Sequence, residues 1–66
     1  MTALARYVRS VERLERVLQG GAAQLSAIRR LIRAIRAVPW GSEDERGQAQ
    51  VLTYRLELVR QRMRRA

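Results

Sequence analysis

Residues 38–45 read Val-Pro-Trp-Gly-Ser-Glu-Asp-Glu, and this stretch decides how the chain folds. Pro39 lacks a backbone N–H and disfavours helical geometry in the residue before it, so a helix that arrives from the N-terminal side ends here. Ser42, followed three residues later by Glu45, has the spacing of a capping box, and the acids between them face the positive end of a new helix. The stretch therefore predicts a turn over residues 39–42 between two helices.

The second helix is predicted to run from about 43 to about 65, and it carries two apolar stripes. Its main seam has helical spacing and consists of Ala49, Leu52, Leu56, Val59 and Met63. A second stripe lies beside it, at Val51, Tyr54 and Leu58. One partner helix cannot cover both stripes, so we expect an oligomer, at least a homodimer. The predicted interface residues are Val51, Leu52, Tyr54, Leu56, Leu58, Val59 and Met63.

The residues before Pro39 predict one long helix over about 3–38. Its apolar residues keep the register of a coiled-coil seam, at Leu4, Tyr7, Val11, Leu14, Leu18, Leu25, Ile28, Ile32 and Ile35. The register continues across Gly20-Gly21, which favours a bend in one helix over a turn between two. The predicted fold is therefore all-α: a helical hairpin that dimerises into an antiparallel four-helix bundle. A three-helix bundle is the alternative, if the two glycines form a turn.

Length and composition limit what such a chain can do. Sixty-six residues make a single helical domain, 1–66, whose small core favours self-association as a source of stability. The chain has no Cys and no His, and it has no glycine-rich phosphate loop. We therefore predict no enzyme activity, no metal, no cofactor and no small-molecule substrate. No run of apolar residues resembles a signal peptide or a membrane span, and we expect a soluble, cytoplasmic protein.

The charge of the chain points to a polyanionic partner. Fourteen arginines and no lysines oppose six acids, which gives a net charge of +8. Two groups of four are the predicted nucleic-acid-binding residues: Arg29, Arg30, Arg33 and Arg36, then Arg6, Arg9, Arg13 and Arg16. A third group near the end of the second helix offers further contacts, although cations there also stabilise the helix dipole: Arg60, Arg62, Arg64 and Arg65.

The aromatic residues favour one mode of binding over another. Only Tyr7, Trp40 and Tyr54 are present, and they are far apart in the sequence, so no platform for stacking single-stranded bases is expected. Arginine grips phosphate through two parallel hydrogen bonds. We therefore predict a protein that grips duplex RNA, or DNA, by its backbone and largely independently of sequence, as small viral or phage-type RNA-binding regulators do.

Two other functions remain open. The Met1-Thr2-Ala3-Leu4 opening, the length of the chain and the long helix–turn–helix layout resemble the small needle-subunit co-chaperones of type III secretion. That resemblance implies a helical chaperone or adaptor that binds a partner helix, and the charge of +8 departs from it. Residues 25–38 alone have the pattern of a cationic amphipathic helix, so peripheral membrane binding is the second alternative.

Overall fold

The protein is all-helical in a computed structural model, which describes residues 2–16 and 21–65. Three helices follow one another: α1 (Ala3–Arg16), α2 (Ala22–Ala37) and α3 (Glu43–Arg65). The helix predicted over 3–38 is thus two helices, and the three-helix bundle is the arrangement that fits. Gly20 and the seam residue Leu18 lie outside the described residues.

The backbone conformation of Gly21 explains why α2 begins as a separate helix. Its backbone has φ 153° and ψ 168°, a conformation that is essentially restricted to glycine and is not helical. The carbonyl of Gly21 accepts a hydrogen bond from the Leu25 amide at 3.0 Å, which closes the first turn of α2. α1 and α2 each present an apolar face to the same core. A common register therefore did not require a continuous helix.

The predicted turn and the second helix are confirmed. α2 ends at Ala37, and Val38 before the proline is extended, with φ −74° and ψ 128°. Ser42 Oγ accepts a hydrogen bond from the Glu45 amide at 3.2 Å and donates one to Glu45 Oε1 at 3.3 Å. The first bond is the expected half of a capping box. In the second, the Glu45 carboxylate accepts from the serine hydroxyl instead of from the serine backbone.

All three helices contribute to one core. The contacts of α3 with α1 and with α2 are more extensive than those between α1 and α2, so α3 is the central element. In the described part of the chain the buried side chains are all apolar and belong to the predicted seams: Val11, Ile28, Ile32, Ile35, Ala49, Leu52, Leu56 and Val59. Trp40 packs against this core, donates its indole N–H to the Ile35 carbonyl at 3.1 Å, and meets the Tyr7 ring edge-on.

Polar contacts fix α1 against both neighbours. Arg55 Nε and Nη2 donate to the two carboxylate oxygens of Glu15 at 2.9 and 2.5 Å, which joins α3 to α1. This hydrogen bonding lowers the pKa of Glu15 and raises the pKa of Arg55. Gln24 Nε2 donates to the Leu14 carbonyl at 3.3 Å and joins α2 to α1.

Candidate nucleic-acid interface

The four arginines of α2 divide between two grooves. Arg29, Arg33 and Arg36 face the groove between α2 and α3, whereas Arg30 lines the groove between α1 and α2. The division follows from helix geometry, because neighbouring residues on a helix point about 100° apart. The sequence suggested one basic surface here, and the structure places three of the α2 arginines on one side of the helix and the fourth on the other.

The groove between α2 and α3 is the most basic surface that several elements form together. Near its middle, Arg60 of α3 lies opposite Arg29, Arg33 and Arg36. Towards the start of α3 the same groove continues past Arg46, Gln50 and Thr53, and Arg36 belongs to both parts. We call this surface the arginine groove and define it by five residues: Arg29, Arg33, Arg36, Arg46 and Arg60.

Most of these guanidinium groups have no partner among the side chains that the structure describes. Among the described residues, ion pairs join Arg55 to Glu15 and Arg60 to Glu57, the second at 3.9 Å and only loosely. None of the α2 arginines forms a hydrogen bond or ion pair in the described part of the chain, and all four are exposed. Of the acids in 2–16 and 21–65, Glu57 alone lines the groove. The groove therefore holds a local excess of positive charge.

The predicted cluster on α1 lies on the outer side of that helix. Arg9, Arg13 and Arg16 line a shallow surface together with Glu12, and Arg6 lies beside Tyr7 and Ser10. All four arginines are exposed. The favourable spacing of Glu12 and Arg16 produces no ion pair between them. One helix alone carries Arg6, Arg9 and Arg16, which offer a convex face, whereas Arg13 also lines the groove between α1 and α2.

The arginines at the end of α3 are placed differently from one another. Arg60 is half-buried and belongs to the arginine groove. Arg64 follows one turn later on the same side of the helix, and Arg62 points away from that side. Both are exposed, and the side chain of Arg65 lies outside the described part of the structure.

A second groove, between α1 and α2, is mainly apolar. We call it the apolar groove, and its lining consists of Ser10, Arg13, Leu14, Ala27, Arg30, Leu31 and Ala34. Arg13 and Arg30 provide its charged groups, one from each helix. Alanines at 27 and 34 keep its floor low, so a further helix could approach closely.

The residues predicted for the oligomer interface fall into two sets. Leu52, Leu56 and Val59 are buried in the core of the single chain, and Met63 packs against that core. They belong to the intramolecular core because two helices, α1 and α2, cover this face of α3. The second stripe remains accessible: Val51 is 56% exposed, Tyr54 is 64% exposed and Leu58 is half-buried.

Sequence reasoning missed Arg46 and Arg55. Arg46 shares one side of α3 with Thr53, Arg60 and Arg64, and that helical spacing would have pointed to it. Arg55 donates hydrogen bonds to Glu15, which lies 40 residues away in the sequence. No rule of local spacing predicts a partner at that separation.

Metal-binding clusters and membrane-spanning helices are absent from the described residues. Within 2–16 and 21–65, no three acidic side chains gather in a way that could hold a metal ion. No described helix combines the length and the apolar character that crossing a membrane requires. The chain matches no protein-family model, no curated protein and no solved structure with which it was compared.

Proposed function

We propose that this protein is a non-enzymatic binder of double-stranded nucleic acid, RNA or DNA, and that the arginine groove grips the phosphate backbone. The observation that carries the proposal is that two helices bring five arginines to one groove with one acid among them. Exposed guanidinium groups without internal partners are free to form paired hydrogen bonds with phosphate oxygens. A net charge of +8 adds long-range attraction to any polyanion.

The dimensions of the groove favour a duplex. Along α3, the distance from Arg46 to Arg60 is about 21 Å at the helical rise per residue. A duplex carries about twelve phosphate charges over that length of its axis. The arginines are held on two packed helices, so their spacing is fixed before binding, as recognition of a rigid backbone by shape requires.

The aromatic residues do not favour single strands. Trp40 lines one end of the arginine groove, but its N–H is bonded to Ile35 and its ring lies against Tyr7. Tyr54 is exposed on α3 and is not among the residues that line the groove. Single-strand binding relies on several rings on which successive bases stack, and one ring held in the bundle does not provide that.

Membrane binding through α2 would compete with folding. Lipid-binding amphipathic helices insert their apolar face into the membrane. In α2 that face consists of Ile28, Ile32 and Ile35, which are buried in the core. α2 would have to leave the bundle first, at the cost of the core that holds the three helices together.

A partner helix is the second candidate, and the apolar groove favours it. Leu14, Leu31 and two alanines form its floor, and Arg13 and Arg30 provide its charged groups. Such a groove fits an amphipathic helix with acidic flanks. This function would be a chaperone or adaptor activity, and it uses a different surface from the arginine groove.

The test compares two neighbouring arginines. Arg29→Glu alters the arginine groove, and Arg30→Glu makes the same charge change one residue away, at the apolar groove. Both side chains are exposed, so both variants should fold, which circular dichroism would check. Affinity is measured for duplex RNA, duplex DNA, a single strand and anionic vesicles at two salt concentrations.

We expect wild-type protein to bind duplexes more tightly than the single strand, and Arg29→Glu to weaken duplex binding several-fold more than Arg30→Glu. The loss should be the same for unrelated duplex sequences, because phosphate contacts carry no base information. Equal losses in the two variants, or preferential binding to vesicles, would contradict the proposal. Loss of a co-purifying protein in Arg30→Glu alone would favour the chaperone function.

A further inference from the structure

The outer side of α3 carries a stripe that the three-helix bundle leaves uncovered. Gly47, Val51, Tyr54 and Leu58 follow one another at spacings of 4, 3 and 4, opposite the buried Leu52 and Leu56. We call these four residues the outer stripe: Gly47, Val51, Tyr54 and Leu58. Val51 and Tyr54 are 56% and 64% exposed, and a Cβ built on Gly47 would meet no atom within 4 Å.

Charges along α3 indicate what would cover this stripe. The first turn of the helix is acidic, with Glu43, Asp44 and Glu45, and its last turns are basic, with Arg62 and Arg64. A parallel copy of α3 would bring like charges together at both ends. An antiparallel copy brings the acidic end of each helix to the basic end of the other, so the helix is complementary to itself in this orientation.

We infer that the outer stripe pairs with the outer stripe of a second copy of this chain, in antiparallel orientation. In the register that we propose, Val51 lies level with Tyr54 of the second copy. Gly47 then lies level with Leu58 of the second copy, so the smallest member of the stripe faces a large one. Reciprocal contacts of this kind define an isologous two-fold interface, which closes after two copies.

Charges beside the stripe select this register over the next one. In the proposed register Glu43 lies near Arg64 of the second copy, and Gln50 lies near Glu57 of the second copy. A shift by one heptad places Tyr54 level with Leu58 of the second copy. It would also bring Glu57 next to Glu57 of the second copy, and Arg55 next to Arg55 of the second copy. Both are contacts between like charges.

The pairing has a consequence for the arginine groove, and this consequence rests on the proposed function. Gln50 and Glu57 flank the outer stripe on the side of α2, and Arg55 flanks it on the side of α1. In an antiparallel two-fold pair, the flank on the α2 side of one copy lies beside the flank on the α2 side of the other copy. Both arginine grooves therefore lie on the same face of the dimer, where one duplex could contact them both.

Disulfide formation between engineered cysteines tests the register, since the chain has no cysteine of its own. The variant Gly47→Cys with Leu58→Cys should form a disulfide-linked dimer under mild oxidation, because these positions are level across the interface. Within one chain they are about 16 Å apart along the helix, too far for an internal disulfide. Gly47→Cys alone and Leu58→Cys alone should remain unlinked, because in the proposed register each lies about 16 Å along the axis from the same position of the second copy.

A matched control tests the neighbouring register. Val51→Cys with Gln61→Cys would link only if the helices were shifted by one heptad, and we expect no dimer band.

Ultracentrifugation adds a measurement without cysteines: wild type should sediment as a dimer at micromolar concentration, and Tyr54→Glu should sediment as a folded monomer. All of this is measured without nucleic acid, so it stands apart from the proposed function. A monomeric wild type, or cross-linking in the single-cysteine or control variants instead, would overturn the inference.

Discussion

At the scale of single residues, one carboxylate and one guanidinium 40 residues apart hold α1 against α3. Glu15 and Arg55 form two parallel hydrogen bonds, and both side chains are about one third exposed. In the sequence, Glu15 lies among the arginines of its own helix. That pattern is typical of a helix face exposed to solvent. Its actual partner depends on how the helices pack, and therefore no rule of local spacing predicts the pair.

The pH dependence of stability should reveal this pair. Arg55 lowers the pKa of Glu15 from its ordinary value of 4.5, chiefly by hydrogen bonding, so the pair stabilises the fold above that value. Its contribution is lost as the pH falls through the lowered pKa of the folded state. We expect Glu15→Gln to cost about 1 kcal/mol at neutral pH, the upper end of the range for partly exposed pairs.

Urea denaturation at pH 7 and at pH 2.5 measures this effect. The difference between wild type and Glu15→Gln should shrink as the pH falls, because protonation of Glu15 removes the charge that glutamine also lacks. Glu12→Gln is the matched control, because Glu12 is a neighbouring acid without an ion pair in the described structure. A difference that is equally large at both pH values would rule out the ion pair as its source.

At the scale of helices, the proline and the capping serine predicted helix boundaries correctly. The spacing of apolar residues did not predict the boundary between α1 and α2. The proline at 39 and the capping serine at 42 set the end of α2 and the start of α3, because both act through the backbone of their immediate neighbours. The apolar register predicted which residues are buried, but it did not tell one long helix from two. Both arrangements place the same residues against α3, and the difference lies in the backbone conformation of Gly21.

Two glycine-to-alanine changes test this difference in backbone conformation. Gly21 has φ 153°, so Gly21→Ala should destabilise the protein, by about 1–3 kcal/mol for a residue forced into this region. Gly47 lies inside α3 with open space around it, so Gly47→Ala should stabilise by up to about 1 kcal/mol, the usual helix preference for alanine. Thermal melts of the two variants at low protein concentration should therefore shift in opposite directions. A higher melting temperature for Gly21→Ala would instead support a continuous helix through this position.

At the scale of the whole molecule, the distribution of arginines between surfaces is the feature that sequence could not supply. The count of arginines and the absence of acids between residues 25 and 38 predicted a basic helix. Assigning Arg29 and Arg30 to different grooves required the positions of α1 and α3. Arg46 and Arg60 lie opposite the α2 arginines because the turn at 39–42 folds α3 back along α2.

The most direct test of duplex binding by the arginine groove is the salt dependence of affinity for one duplex DNA. It is measured for the wild type and for two triple variants. Arg29, Arg33 and Arg36 are changed together to Gln in one variant, and Arg6, Arg9 and Arg16 are changed together in the other, which loses the same charge. The slope of log affinity against log salt should flatten by about 0.9 for each lost phosphate contact. We therefore expect a flattening of about 2–3 for the groove variant and much less for the α1 variant. Equal slopes for the two variants, both folded, would contradict a specific role for the arginine groove.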